Sequence, residues 1–150
     1  MAVILITGAS GQLGSEIKTE SRNYSGYEFI FTDIDELDLT DPEAVKIFTS
    51  ANKPDWIINC AAYNFVDRAE TDTETAVRVN AMAVKNLADS IEKTETKLIH
   101  LSTDYVFDGS SNTPYSETSA VNPLSAYGRS KLEGEKYALL HNRTMIIRTS

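Results

Sequence analysis

Cysteine, histidine and basic residues are scarce in this sequence of 150 residues. It holds one cysteine, Cys60, and two histidines, and its 14 Lys and Arg residues are outnumbered by 22 Asp and Glu residues. A single cysteine excludes a framework of internal disulfides and makes a reducing, cytoplasmic compartment the simplest expectation. The net charge of −8 argues against nucleic acid and membrane surfaces as partners, because polyanions repel an acidic protein at long range.

Long apolar runs and paired metal-ligand spacings are also missing. No stretch of about 18 apolar residues occurs, so we expect no membrane-spanning helix. The apolar start of the sequence lacks a basic leader and a small-residue cleavage site, which argues against a signal peptide. His100 and His141 stand alone, and the acids between Asp33 and Asp41 alternate with apolar residues as in a solvated loop. The residues themselves therefore predict no metal site.

What is present is an alternation of short apolar runs with longer amphipathic stretches. The runs predict five strands, at residues 2–6, 27–32, 56–59, 97–102 and 144–148. Helical patterns lie between them, at residues 13–22, 41–50, 74–92 and 124–141. The second of these begins with Asp41 as N-cap and Pro42 at the first helical position. The alternation predicts an α/β fold, a doubly wound parallel sheet of the Rossmann type with strand order 3-2-1-4-5.

The most informative local motif lies between the first strand and the first helix. Residues 7–14, TGASGQLG, place Gly8, Gly11 and Gly14 where a strand turns into a helix. The first glycine allows a tight turn, the second lets a pyrophosphate approach the backbone, and the third lets the helix pack closely on the sheet. The amides that open the helix can then bind the anion.

An acid at the end of the second strand supports a dinucleotide site. Asp33 lies 19 residues after Gly14, where a carboxylate can accept hydrogen bonds from the adenosine ribose. The same charge would repel a 2′-phosphate, and no Arg or Lys stands near it in sequence. We therefore expect NADH or NADPH as cofactor, and the acid favours NADH.

Tyr127 and Lys131 form the candidate catalytic pair. They are four residues apart on one face of a predicted helix, where a cation beside a phenol favours the phenolate and lowers the phenol pKa from about 10. Such a proton donor suits general acid catalysis, although a surface pair shows the same spacing. Thr103 and Asp104 end the fourth strand, at the edge where open α/β sheets bind ligands. They could contact a substrate oxygen and a hydroxyl, or form a strand-ending cap.

The third strand ends in the small residues Asn59-Cys60-Ala61-Ala62, which would let a cofactor lie against the backbone. No histidine stands near Cys60 in sequence to activate it. We therefore expect Cys60 to be a small buried hydrophobe rather than a nucleophile.

The order of the motifs Thr-Gly-x-x-Gly-x-x-Gly, Asn-x-Ala-Ala and Tyr-x-x-x-Lys resembles the extended short-chain dehydrogenase/reductase superfamily. Longer strings resemble the dTDP-4-dehydrorhamnose reductase family more narrowly: GQLG at 11–14, LDLTD at 37–41, AAY at 61–63, STDYVFDG at 102–109, NPL at 122–124, YG at 127–128 and KLxGE at 131–135, where x is any residue. The resemblance spans the whole chain, and the string at 102–109 is its most specific part.

This resemblance implies reduction of the C4 ketone of a dTDP-4-keto-6-deoxy sugar by NAD(P)H, the last step of dTDP-L-rhamnose synthesis. It implies that Tyr127 protonates the new alkoxide, Lys131 tunes Tyr127 and holds the nicotinamide ribose, Thr103 polarises the ketone and Asp104 contacts the sugar. The implied cofactor-binding residues are Gly8, Gly11, Gln12, Leu13, Gly14, Asp33, Asp38, Leu39, Ala61, Ala62, Tyr63, Asn64, Tyr127 and Lys131. Asn80 resembles the structural asparagine of the superfamily. Family members also pair as homodimers, some with Mg²⁺.

The resemblance further implies a substrate domain of comparable size after residue 150. A doubly wound dinucleotide fold generally continues to a sixth strand, whereas this sequence stops directly after its fifth. We therefore expect residues 1–150 to be an NAD(P)-binding domain truncated from a longer chain, which alone binds cofactor weakly and turns over poorly.

Two other functions are compatible with the same motifs. One is a non-catalytic, NADP-binding regulatory subunit like the β subunit of methionine adenosyltransferase, which resembles this family. The other is a different nucleotide-sugar reductase or epimerase of the superfamily, because the fold and the cofactor site do not select the substrate.

Overall fold

Five parallel strands form a single sheet in the structure, a computed structural model that describes residues 1–150. The strands are β1 (Ala2–Thr7), β2 (Tyr27–Thr32), β3 (Trp56–Asn59), β4 (Lys97–Thr103) and β5 (Thr144–Thr149). Their order along the sheet is β2-β1-β3-β4-β5, and each neighbouring pair is parallel. The predicted fold class, a doubly wound parallel α/β sheet, is confirmed.

The third strand lies on the other side of β1 from the position that the order 3-2-1-4-5 gives it. β3 pairs with β1, with Ile4 opposite Trp56 and Thr7 opposite Asn59, rather than with β2. The chain after β2 is buried at Leu37 but forms no strand there. The connection to β3 then crosses β1 and reaches its other side. A right-handed connection in that direction uses the opposite face of the sheet from the first one. The strand order therefore reverses between β1 and β3, which is where open α/β sheets bind ligands.

Helices connect the strands. They are α1 (Gln12–Glu20), α2 (Pro42–Asn52), α3 (Val66–Ala69), α4 (Thr73–Val77), α5 (Ala83–Ile91) and α6 (Ala126–Ala138). α2 begins as expected, because the Asp41 side chain accepts hydrogen bonds from the amides of Glu43 and Ala44. The single helix expected at 74–92 is instead α4 and α5 joined by a π-helical turn, Arg78–Met82.

The main core lies between the sheet and the helices α2 and α5. Its fully buried side chains include Leu5 from β1, Ile57 from β3, Leu98 from β4 and Leu87 from α5. A smaller cluster of Ala69, Ala76, Ala126 and Tyr127 lies where α6 begins. The first cluster fixes the strand ends that carry the glycine turn, and the second holds the Tyr127 ring. No helix combines the length and apolar character that crossing a membrane requires.

Candidate active site

A cleft of about 450 Å³ opens at the carboxyl ends of β1 and β3. Its walls are the glycine turn after β1, the segment after β2 and the segment after β3. Eight of the expected cofactor-binding residues line it: Gly8, Gly11, Asp33, Asp38, Leu39, Ala61, Ala62 and Asn64. The other six, Gln12, Leu13, Gly14, Tyr63, Tyr127 and Lys131, lie outside its lining. The cleft therefore forms at the predicted edge of the sheet.

The glycine turn leaves no room for side chains. Gly8 has a φ of +66°, and a Cβ there would lie 2.6 Å from the backbone nitrogen of Ala61. A Cβ on Gly14 would lie 2.4 Å from the carbonyl oxygen of Gly8. Gly11 is the N-cap of α1 and provides no side-chain cap, so the first amides of the helix have no intrahelical partner. This cradle of bare backbone fits the pyrophosphate of a dinucleotide.

Asp33 is held at the rim of the cleft by backbone amides. Its Oδ2 accepts from the Ser10 amide at 2.8 Å, and its Oδ1 accepts from the Ile34 amide at 2.9 Å. Burial acts to raise the pKa of Asp33, but these hydrogen bonds outweigh it and the pKa is lowered. The carboxylate is therefore charged at neutral pH and stands beside the phosphate-binding turn. Ser10, which sequence reasoning missed, also lines the cleft.

The Tyr127 phenol lies at the meeting point of three segments. Its hydroxyl donates to Oδ1 of Asn64 at 3.4 Å, and its ring meets the Tyr105 ring edge-on, with centroids 5.6 Å apart. Burial raises the pKa of Tyr127, while the adjacent Thr103 hydroxyl acts to lower it and Asp104 to raise it. The Thr103 hydroxyl and the Tyr127 phenol are therefore neighbours.

Lys131 is buried and does not lower the phenol pKa as its spacing suggested. Its side chain is 2% exposed, and Nζ donates to the carbonyl oxygen of Leu101 at 2.6 Å. Burial lowers the pKa of Lys131 to about 8, although Glu135 and Cys60 act to raise it. The expected lowering of the Tyr127 pKa is wrong for this state, because burial of the phenol is the larger effect and the ammonium faces a carbonyl.

Cys60 connects the cleft to Lys131. It lines the cleft, and burial raises the pKa of its thiol to about 11 despite the opposing effect of Lys131. The thiol is therefore protonated at neutral pH, which agrees with the expected inert role. No feature of the sequence around Cys60 indicated that this residue would lie beside Lys131.

Thr103 and Asp104 serve as a cap and also border the site. The Thr103 hydroxyl accepts from the Tyr105 amide at 3.2 Å and donates to Oδ1 of Asp104 at 3.3 Å. Asp104 lines a second depression of about 340 Å³, together with Tyr105, Phe107 and Tyr115. Both explanations of these residues, the strand-ending cap and the substrate contact, are thus compatible with the structure.

Asn80 ties the segment after β3 to α6. It is fully buried in the π-helical turn, where its Oδ1 accepts from the Tyr63 amide at 2.8 Å. Its Nδ2 donates to the Tyr63 carbonyl and to the Ser130 hydroxyl, both at 3.0 Å. These bonds hold the neighbouring Asn64 close to Tyr127.

A buried polar chain runs beneath the site and was not identified from the sequence. The Thr7 hydroxyl donates to Oδ1 of Asn59 at 2.7 Å, and Nδ2 of Asn59 lies 3.1 Å from Nδ1 of His100. The Nε2 atom of His100 is buried without a partner. Burial, with Lys131, lowers the pKa of His100 to about 3, so this imidazole is neutral. The positions of these polar residues in their strands could have indicated the chain, because all three occupy one register across β1, β3 and β4.

The structure contains no group of three or more His, Cys, Asp or Glu side chains placed to hold a metal ion. The Mg²⁺ that the family resemblance implies therefore has no ligand cluster among these residues.

Comparison with known proteins places the chain in a family. The family model described as the RmlD substrate binding domain matches residues 1–150. A dTDP-4-dehydrorhamnose reductase from Aggregatibacter actinomycetemcomitans is 42% identical over 151 residues, which cover 100% of this chain and 51% of that relative. Methionine adenosyltransferase 2 subunit beta from Xenopus tropicalis is 43% identical over 144 residues, which cover 92% of this chain and 42% of that relative.

A solved structure gives the same result. The crystal structure of dTDP-4-dehydrorhamnose reductase from Bacillus anthracis in complex with NADP matches with a TM-score of 0.95 and 38% identity. The match covers 100% of this chain and 54% of that one. The chain spans about half the length of the curated relatives that it matches. The resemblance carried by the sequence motifs is confirmed, and the chain belongs to the RmlD substrate-binding domain family.

Proposed function

We propose that residues 1–150 form the NAD(P)-binding and proton-donating domain of a reductase that acts on the C4 ketone of a dTDP-4-keto-6-deoxy sugar, in dTDP-L-rhamnose synthesis. The observation that carries this proposal is the hydrogen bond from the Tyr127 hydroxyl to Asn64, which lines the cleft built by the glycine turn, with the Thr103 hydroxyl adjacent to the same phenol. The reductase names of the relatives and the NADP of the Bacillus anthracis structure support it.

The cleft suits the adenosine and pyrophosphate parts of a dinucleotide. The first amides of α1, which have no intrahelical partner, bind the pyrophosphate. The Asp33 carboxylate accepts hydrogen bonds from the hydroxyls of the adenosine ribose. The apolar side chains of Leu37 and Leu39 offer a wall for the adenine. NADH or NADPH, when bound, supplies the hydride for the ketone carbon. No Lys or Arg lines the cleft, so a 2′-phosphate would have to find its cation elsewhere.

The protein's own residues supply the proton and stabilise the charge. As the C4 carbon gains the hydride, the electron pair of the C=O π bond moves to oxygen, where the Thr103 hydroxyl donates a hydrogen bond. Tyr127 transfers its phenolic proton to that oxygen, which yields the alcohol and a phenolate. The raised pKa of Tyr127 keeps the phenol protonated, and therefore a donor, before the reaction. Water then reprotonates the phenolate. The Lys131 ammonium, whose Nζ donates to the Leu101 carbonyl, would hold the nicotinamide ribose.

A pair of tyrosine variants tests the reaction. In the intact protein that carries these residues, Tyr127→Phe should lower oxidation of NADPH by dTDP-4-keto-6-deoxy-L-mannose by about 10²–10⁴-fold, because it removes the general acid. Binding of NADPH should change much less than turnover, because phenylalanine keeps the aromatic ring. Tyr137→Phe is the matched control, since Tyr137 lies on the same helix and its hydroxyl bonds only Glu133, at 3.4 Å. Equal turnover by wild type and Tyr127→Phe would refute the assigned role.

A second candidate function is a non-catalytic NADP-binding subunit. The identity of 43% to methionine adenosyltransferase 2 subunit beta favours it, whereas the presence of Thr103, Tyr127 and Lys131 together supports the reductase. Tight NADPH binding with no oxidation by any of a panel of dTDP- and UDP-keto-sugars would favour the subunit. Oxidation by a different keto-sugar would instead favour another nucleotide-sugar reductase. Pairing as a homodimer, which the family resemblance implies, stays a prediction.

A further inference from the structure

Glu135 lies on the same face of α6 as Tyr127 and Lys131 and forms an ion pair with the half-buried Arg148 of β5, which the proposed chemistry does not use. Glu135 is 2% exposed, and its carboxylate accepts two hydrogen bonds from Arg148, Nε to Oε1 at 2.9 Å and Nη2 to Oε2 at 2.7 Å. The Ser102 hydroxyl donates to the same Oε1 at 2.5 Å. Glu135 thus joins α6 to both β4 and β5.

The position of this junction relates it to the site. Ser102 immediately precedes Thr103 on β4, and Ser102 and Arg148 are direct register partners across β4 and β5. Glu135 follows Lys131 by four residues and therefore lies one helical turn along the same face. Charge-assisted bonds to an Arg fork are directional as well as strong. They fix the register of α6 against the strand end where Thr103 meets Tyr127.

The stability of the fold does not by itself explain why a charged pair occupies this position. Replacing a buried ion pair by apolar residues of similar volume is often neutral or stabilising, because the desolvation cost offsets the attraction. Arg148 is further held by the Phe107 ring, 5.2 Å from the guanidinium carbon. The arrangement therefore indicates a role in placing a charge or a side chain.

The role of the ion pair follows from the groups that act on the charge of Lys131. They are Glu135 on its own helix, Cys60 after β3, and His100 on β4. Cys60 is a protonated thiol and His100 a neutral imidazole at neutral pH, so Glu135 is the anion among the neighbours that act on Lys131. Its carboxylate opposes the effect of burial on the lysine.

We propose that Glu135 is a positioning residue for the cofactor site: clamped by Ser102 and Arg148, it sets the register of α6 and keeps Lys131 an ammonium beside the cleft. This inference rests on the proposed function, in which that ammonium holds the nicotinamide ribose. Glu135 does not touch the ribose and acts through Lys131.

The pH dependence of NADPH affinity, measured by fluorescence titration of the intact protein that carries these residues, tests this role. Wild-type affinity should fall as the pH rises from 7 to 9, because Lys131 loses its proton around its pKa of about 8. Glu135→Gln keeps an acceptor for Ser102 but removes the charge, so the fall should begin at lower pH. If the lysine pKa falls by about one unit, the ratio of charged to neutral Lys131 changes tenfold, and affinity at pH 8 should be several-fold weaker than wild type.

Two further variants separate this role from a purely structural one. Glu133→Gln is the matched control, a carboxylate on the same helix whose only hydrogen bond is from Tyr137, and it should leave the pH dependence unchanged. Glu135→Gln/Arg148→Gln removes the cation that the single variant leaves without its partner, so thermal stability should recover. The proposal expects the pH dependence to remain shifted in this double variant.

The outcomes distinguish the inference from the function on which it rests. A wild-type pH dependence in Glu135→Gln, or its restoration together with stability in the double variant, would overturn the positioning role and leave the reductase proposal standing. Failure of the wild type to bind NADPH or NADH at any pH would overturn both.

Discussion

The two sides of the proposed site are built from different materials. The nucleotide side, around β1 and the segment after β3, consists of backbone and small residues such as Gly8, Gly14 and Ala61. The catalytic side, around the end of β4 and α6, consists of buried polar side chains such as Lys131 and Glu135. The first side therefore cannot accept added atoms, and the second cannot lose polar ones. Substitutions on each side should fail for opposite reasons.

After Tyr127→Phe, the largest effect is expected from Thr103→Val, also on the catalytic side. The substitution removes one hydroxyl donor to the substrate oxygen, and loss of such a donor typically lowers turnover by about 10²–10³-fold. NADPH affinity should stay close to wild type, as steady-state kinetics and a binding titration can show. Asp41→Ala is the control for cap loss alone, because Asp41 caps α2 and does not itself line the cleft. A similar fall in turnover for both variants would contradict the prediction.

On the nucleotide side, Gly8→Ala should destabilise the fold and weaken NADPH binding at least tenfold. The left-handed conformation alone costs an L-residue about 1–2 kcal/mol, and the new Cβ also meets the Ala61 backbone. Denaturant unfolding of Gly109→Ala isolates the conformational part, since Gly109 has a φ of +73° and open space around it.

Gly26→Ala completes this comparison, because a Cβ at Gly26 meets nothing within 4 Å and the residue has no positive φ. It should change the free energy of unfolding by no more than about 0.5 kcal/mol. Suppose that Gly8→Ala lowers the free energy of unfolding no more than Gly109→Ala does, and that the Gly8→Ala variant binds NADPH as the wild type does. Close packing against the backbone then does not limit substitutions on the nucleotide side.

A smaller effect is expected at His100, in the polar chain that joins the two sides. Its folded pKa of about 3 lies below the unfolded value of 6.5, so on acidification the unfolded state takes up the proton first. The stability that depends on this group is present above pH 6.5 and is lost as the pH falls toward 3, at up to about 1.4 kcal/mol per pH unit. Unfolding of His100→Gln should depend less on pH between 6.5 and 5 than unfolding of the wild type does. Parallel pH profiles would contradict the assignment.

The smallest effect is expected from Asp33→Asn. Removing the carboxylate charge should shift preference from NADH toward NADPH by up to about tenfold, because an exposed charge acts weakly through solvent. The ratio of the two dissociation constants measures this directly. An unchanged ratio would mean that the Asp33 charge does not act on the 2′-phosphate.

The sequence predicts those features of the fold that depend on contacts between neighbouring residues better than those that depend on contacts between distant ones. The bounds of β2 and β3 agree residue for residue with those expected, because each strand is a short apolar run with clear ends. The glycine turn was also recognisable, since its residues are neighbours in the chain. The position of β3 was not, because the side of the sheet to which a connection returns is not encoded in any local pattern.

On the catalytic side the sequence indicated which residues are present but not how they are surrounded. The spacing of Tyr127 and Lys131 predicted one helical face correctly. It could not show that Lys131 is buried against a carbonyl, that Cys60 lies beside it, or that Glu135 pairs with Arg148 on another strand. These contacts join separate elements, and burial reversed the expected direction of the Tyr127 pKa.

A crystal structure of the protein with bound NADPH tests the central claim most directly. The account predicts the pyrophosphate on the amides at the start of α1 and the nicotinamide ring between Cys60 and Tyr127. The reactive carbon should then face the space shared by the Tyr127 and Thr103 hydroxyls. A nicotinamide ring on the other side of the sheet, or a pyrophosphate away from Gly11, would contradict it.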